Sequence, residues 1–248
     1  MLLIVSGDMM PNISNEGNSG KEAAAKEALK LVETEMIIGL GTGSTAKIFV
    51  DLLAQKYFEE SLNIKVLATS SSTANQAQKL GLPLTSINNV ERLDLVVDGA
   101  DEVDPLLNLI KGGGGALLQE KIVAESGKVM VVIVDNSKVV TSLGRFPLPI
   151  EIIKFGHDFT RKMVLKEIEN MGYADISFDW RKDGKKFFLT DEGHYILDLK
   201  LNHIKNPTLT HEKIKGVTGV VETGLFINIA NKVIIGDEEG NIIEKEQG

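Results

Sequence analysis

The chain has 248 residues, of which 43% are hydrophobic and 25% charged. That is the texture of an ordinary globular protein, with room for one large domain or two of roughly 100–200 residues. Lysine and arginine total 27 against 35 acids, a net charge of −8, which argues against general affinity for nucleic acid or an anionic membrane surface. An anionic ligand therefore needs a local cationic pocket. With no cysteine, disulfides, thiolate metal sites and a cysteine nucleophile are excluded. Four histidines, at 157, 194, 203 and 211, leave no close group for a metal.

Met1 to Val5 is apolar but too short to span a bilayer or to serve as a secretory core. Residues 6–20 are rich in Asn, Gly and Ser and read as a loose tail, and the first cation is Lys21. A cytoplasmic protein without a membrane segment is the expectation. Lys21 to Glu33 is a strong helix former with Ala24, Ala25, Ala28, Leu29 and Val32 on one stripe. A short strand over Met36 to Leu40 leads into the turn Gly41 to Thr45, and a second helix runs from about Ala46 to Glu59. Ile64 to Ala68 is the next strand, and Ser70, Ser71 and Ser72 offer N-caps for a helix ending at Leu80-Gly81. Leu93 to Val97 and Val129 to Val134 are further buried strands, with a helix over Ala116 to Glu125 between them. Strand and helix in alternation predict an α/β fold with a parallel sheet covered on both faces.

After Pro147-Leu148-Pro149 the texture changes. A helix over Phe159 to Met171 is followed by short strands with hairpin punctuation at Asp183-Gly184 and Asp191-Glu192-Gly193. Residues 217–236 are strand-rich again. The pattern predicts an α+β unit inserted after the fourth parallel strand, with the chain's end returning to the first domain.

Four loops at predicted strand ends have unusual composition, and ligands of open α/β sheets sit at such ends. Gly41-Thr42-Gly43-Ser44-Thr45-Ala46 fits G-x-G-x-x-A, but the next strand ends in Ala68-Thr69-Ser70 rather than the acid a dinucleotide site needs. It remains a turn suited to a phosphate or sugar oxygens, or simply a glycine turn with Ser44 as N-cap. Asp98-Gly99-Ala100-Asp101-Glu102-Val103-Asp104 packs four acids into seven residues, which is costly unless they are paired or solvated. Lys111-Gly112-Gly113-Gly114-Gly115 precedes a helix, where consecutive N–H groups can form an anion nest. Gly113, Ala116 and Glu120 then fall at i, i+3 and i+7, leaving Glu120 room to lean toward the glycines as a general base or to pair with a surface lysine. Asp135-Asn136-Ser137-Lys138 brings a second cation, Lys138, to the same sheet edge.

The motifs G-T-G-S-T, D-G-A-D-E, K-G-G-G-G-A-x-x-x-E-K and D-x-S-K, in this order, resemble those of type A ribose-5-phosphate isomerases. The Ser70–Ser72 run, Gly144 to Glu151 and Gly219 to Phe226 extend the resemblance over about residues 20–240. It implies a Rossmann-like parallel-sheet domain with an inserted ferredoxin-like α+β domain. The implied division is a tail over 1–18, a catalytic domain over 19–142 and 227–248, and an insertion over 143–226. The implied activity interconverts D-ribose 5-phosphate and D-ribulose 5-phosphate, in the non-oxidative pentose phosphate pathway, without metal or cofactor. By motif, Glu120 corresponds to the general base, with Asp98, Asp101 and Lys111 as its polar companions. Thr42, Gly43, Ser44 and Thr45, Asp98, Gly99, Ala100 and Asp101, Lys111, Gly112, Gly113 and Gly114, and Lys138 correspond to substrate-contacting positions. The implied partners are a small sugar phosphate and further copies of the chain in a homodimer or homotetramer, with no nucleic acid and no membrane. One departure is Gln119, where relatives often carry Arg. Two other readings exist. A non-catalytic sugar-phosphate sensor would need a DNA-binding domain, for which the segment before the first helix is too short and too poor in basic residues. An acyl-coenzyme A transferase would use a glutamate as nucleophile.

Overall fold

A computed structural model of the chain describes residues 19–174 and 176–247; the expected tail over 1–18 lies outside the described residues. In chain order the helices are α1 Ser19–Leu29, α2 Ser44–Glu59, α3 Ser71–Lys79, α4 Leu117–Ser126, α5 His157–Asn170 and α6 Pro207–Lys215. The strands are β1 Ile37–Leu40, β2 Lys65–Ala68, β3 Leu93–Asp98, β4 Glu102–Val103, β5 Leu109–Ile110, β6 Gly127–Asp135 and β7 Leu148–Ile152. They continue with β8 Ser177–Trp180, β9 Lys182–Asp183, β10 Lys186–Phe187, β11 Tyr195–Lys200, β12 Val220–Thr223, β13 Leu225–Phe226, β14 Lys232–Gly236 and β15 Ile242–Glu246.

The first sheet has the order β15-β14-β6-β3-β1-β2, parallel throughout except for the edge strand β15. Its central strands are apolar on both faces because helices cover both. Val131, Ile133, Leu95, Val97 and Ile234 pack with α1 and α2, while the alternate residues Val96, Met130, Val132, Val134 and Val233 pack with α4. The connection from β1 to β2 runs one way along the sheet, and the next returns across β1 to β3. The crevice of such a sheet opens at that reversal, beyond the carboxyl ends of β1 and β3.

Helix α1 buries Ala24, Ala25 and Ala28 completely. It ends at Leu29, short of the Glu33 expected from propensity. Lys30, Leu31 and Val32 close it with i→i−3 bonds, and the Lys56 ammonium reaches the carbonyls of Leu29 and Val32 at 3.3 and 3.1 Å. That lysine supplies the positive charge a helix C-terminus favours.

The second sheet has the order β12-β7-β11-β8, wholly antiparallel, with α5 and α6 joining β7 to β8 and β11 to β12. This is the β-α-β-β-α-β ferredoxin-like pattern, elaborated by the β9–β10 hairpin. Leu148, Ile150 and Ile152 on one face of β7 meet Val164 and Ile168 of α5 and Ile214 of α6. The opposite face carries Pro149 and Glu151, and Pro149 lies against Gly112 and Gly224 of the glycine-loop region. Strand β13 then pairs with β5, which pairs on its other side with β4, and β14 pairs with β6, so the chain returns to the first sheet.

Candidate active site

The loop after β1 turns at Gly41, where a Cβ would come within 2.0 Å of the Asp98 carboxylate. Only glycine permits that approach. Helix α2 starts at Ser44, two residues before the sequence expectation. Its N-cap is Gly43 at φ +122°, not Ser44, and no side chain caps it. The first helical bond is from Lys47 N to Gly43 O, so the N–H groups of Ser44, Thr45 and Ala46 have no protein acceptor among the described residues. An uncapped helix start of this kind favours an anion.

A set of hydroxyls holds this loop, of which the sequence singles out Thr42 and Ser70 but not Thr69 and Thr73. Thr42 Oγ1 lies 2.8 Å from the hydroxyls of Thr69 and Ser70 and 3.1 Å from that of Thr73. Thr69 and Thr73 in turn donate to the carbonyls of Leu40 and Gly41, both at 3.0 Å. Ser70 is the N-cap of α3, accepting from Thr73 N, as the serine run suggested.

The four acids after β3 are paired individually rather than solvated. Asp98 Oδ1 accepts from the N–H groups of Thr42 and Gly99 at 3.0 and 2.7 Å. Asp101 Oδ2 accepts from Gly113 N at 2.7 Å. Glu102 accepts from the backbone of Gly144 and Phe146, and Asp104 from that of Leu106 and Asn108.

Lys111 leaves β5 with its ammonium buried. It is 2.9 Å from Asp98 Oδ2 and 3.1 Å from Glu120 Oε1, and it donates to Gly99 O at 2.7 Å. Burial works against the charged ammonium, but the Asp98 and Glu120 carboxylates outweigh it and raise its pKa. Burial likewise pushes Asp98 above the usual carboxylate range against the pull of Lys111. Glu120 is pushed up to about 8, by burial first, opposed by Lys111 and reinforced by the negative charge of Asp98. Its second oxygen, Oε2, is buried with no hydrogen-bond partner among the described residues. The helical stripe through Gly113 is not formed, because α4 begins only at Leu117. Glu120 meets Lys111 instead because the glycine loop doubles back through positive φ at Gly112 (+100°) and Gly115 (+84°).

A cleft of about 90 Å³ is lined by Thr42 to Thr45, Gly99 to Asp101, Lys111 to Gly114, Glu120 and Lys138. Asp98 stands behind that lining, one residue back, and reaches the cleft through Lys111. Lys138 is the lining cation that makes no ion pair among the described residues. A much larger groove beside α5 and α6, about 850 Å³, shares none of these residues. Sequence reasoning also missed Arg181, whose guanidinium donates to Gly112 O at 2.6 Å and Gly113 O at 3.1 Å. Nothing local marks that arginine, because its partners lie 68 and 69 residues away.

Residues 65–240 match the family described as ribose 5-phosphate isomerase A, also called phosphoriboisomerase A. The chain belongs to the ribose 5-phosphate isomerase A family. Among its relatives, "Ribose-5-phosphate isomerase A" of Dinoroseobacter shibae is 45% identical over 238 residues, 96% of this chain and 90% of that one. The solved ribose 5-phosphate isomerase A of Methanocaldococcus jannaschii superposes with a TM-score of 0.83 at 37% identity, covering 94% of this chain and 100% of that one. The ribose 5-phosphate isomerase of Plasmodium falciparum gives 0.85 at 34% identity, covering 92% and 98%. These are enzymes of one family; the sugar-phosphate sensor finds no support among them. The Rossmann-like sheet with its inserted α+β unit is the fold the family resemblance implied.

Proposed function

We propose that this chain interconverts D-ribose 5-phosphate and D-ribulose 5-phosphate with Glu120 as the single base that carries the proton between the two sugar carbons. The observation that carries this reading is the Glu120 carboxylate, buried beside Lys111 with one oxygen unpartnered at the cleft. The ionised carboxylate takes the proton from C2 of the open-chain aldose, and the carbonyl oxygen on C1 gains a proton, giving an enediol through an enediolate. Glu120 then returns its proton to C1 while the C2 hydroxyl loses its own, leaving the ketose. No atom is gained or lost.

A pKa near the working pH suits this exchange, since the group must both take and release the proton; such catalysis contributes about 10²–10⁴-fold. Lys111 supplies fixed positive charge where the enediolate oxygen develops. Asp101, tied to Gly113 N at the cleft, is placed to move protons between sugar oxygens and assist ring opening, while Asp98 acts through Lys111, which it holds in place. The phosphate end of the substrate is assigned to the uncapped start of α2 and to Lys138, which present donors without protein partners. Binding there places the reacting carbons at Glu120. The same reading carries a homodimer or homotetramer in the cytoplasm, with the chain divided at 143–226; light scattering and limited proteolysis of the purified chain check both.

The test is turnover of ribose 5-phosphate in excess chelator, wild type against Glu120→Gln. Wild-type turnover that survives chelation, with kcat at least about 10²-fold lower in the variant and KM nearly unchanged, is expected. A loss smaller than about tenfold removes Glu120 as the base. A wild type that is stabilised by ribose 5-phosphate yet does not turn it over overturns the isomerase reading.

A further inference from the structure

We propose that Arg181, at the end of β8 in the inserted sheet, is a positioning residue that sets the peptide planes of the Gly112–Gly114 loop for the isomerisation. This rests on the reading of the cleft given above. Four successive glycines have no side chains with which to fix their own conformation and lose the most freedom on ordering. Something outside the loop must hold it.

The guanidinium is itself held rigidly. Its Nη2 and Nε donate to the two carboxylate oxygens of Asp198 on β11 at 2.5 and 3.0 Å, in a fork-to-fork pair. Its backbone is fixed as well, with Arg181 N donating to Ile196 O and Phe188 N donating to Arg181 O, both at 2.9 Å. The remaining Nη1 bridges Gly112 O and Gly113 O at 2.6 and 3.1 Å.

A trans peptide is planar, and its C=O and N–H point to opposite sides. Holding Gly112 O toward Arg181 therefore turns the Gly113 N–H away from it, where it donates to Asp101 Oδ2 at 2.7 Å. Holding Gly113 O by the same nitrogen turns the Gly114 N–H away likewise. That N–H has no protein acceptor among the described residues, and Gly114 lines the cleft. One guanidinium thus fixes both the hydrogen bond that orients Asp101 and a donor left free for substrate. Phe188, from the same hairpin region, closes the loop's far side, where a Cβ on Gly115 would come within 2.5 Å of its ring. The inserted sheet therefore shapes the glycine loop without lining the cleft.

The distinguishing experiment is steady-state kinetics and thermal unfolding of wild type, Arg181→Lys and Arg181→Met, assayed well below every midpoint. Lysine keeps the charge but lacks the planar fork needed to hold Asp198 and two carbonyls together. Since a misplacement near 1 Å can cost about 10²-fold, kcat/KM is expected to fall about tenfold in Arg181→Lys and about hundredfold in Arg181→Met, with KM raised and kcat lowered per folded molecule. If Arg181→Met does not fold, Arg181→Lys decides. A merely structural staple predicts something else: lower midpoints with kcat and KM per folded molecule within twofold of wild type, and that result overturns the proposal. A wild type with no turnover is a different failure, since it overturns the isomerase reading on which the proposal rests.

Discussion

At one side of the cleft Lys111, Asp98 and Glu120 are almost wholly buried and committed to one another; at the other, Gly43 and Ser44 are exposed, helix α2 starts uncapped and Lys138 stands unpaired among the described residues. The first arrangement is one cation between two carboxylates, with burial raising the proton affinity of both acids. It suits proton transfer, because a desolvated carboxylate changes its charge near neutrality. The second has donors with nothing to donate to. It suits anchoring of a charged group that does not react. The contrast explains how a chain of net charge −8 accommodates a sugar phosphate: Lys111 is occupied internally, and the anion is left to backbone dipoles and Lys138.

The sharpest break in that contrast is Lys111→Met. It leaves two buried carboxylates facing each other without a cation, and removing one partner of a buried pair costs about 3–5 kcal/mol. Denaturant unfolding should show that loss, and turnover should fall below detection. A stable, active Lys111→Met protein would mean the ensemble is neither structural nor catalytic.

Next in size is pH. With Glu120 held up to about 8 in the free protein, kcat/KM should rise about tenfold per pH unit below that value and level off above it. Stability should run the other way. A carboxyl whose folded-state pKa is raised from 4.5 to about 8 contributes stability fully present below pH 4.5 and lost as pH rises through about 8. Glu120→Gln should flatten that part of the stability profile. An unchanged slope would place the titration elsewhere.

The smallest effect belongs to the anchoring side. Lys138→Ala should raise KM about tenfold through lost charge-assisted contact, leave kcat within about twofold, and weaken the salt dependence of kcat/KM. A change confined to kcat would move Lys138 to the chemical side of the cleft.

Much of the site was legible because its constraints are local. Glycine at 41 admits Asp98, glycine at 112 and 115 admits positive φ, and a lysine beside four glycines is conspicuous in any sequence. Both sheets were legible too, from two-sided apolar strands followed by hairpin punctuation. What stayed hidden depends on distant pairing. The hydroxyls of Thr69 and Thr73 matter only because they meet Thr42 across the sheet, and Arg181 matters only because the inserted sheet lies over the glycine loop. The early start of α2 was hidden for another reason: Ser44 is a good capping residue by type, but it is Gly43 that adopts the capping position.

The most direct test of Glu120 as the proton carrier is exchange in deuterated water, followed by NMR of the sugar carbons with wild type and Glu120→Gln at saturating ribose 5-phosphate. Over many turnovers wild type should place solvent deuterium at C1 of ribulose 5-phosphate and C2 of ribose 5-phosphate, as the protonated Glu120 exchanges with water between taking and returning the proton, and the variant should bind the sugar yet leave both positions protonated. Exchange in Glu120→Gln at a rate near wild type would contradict the account.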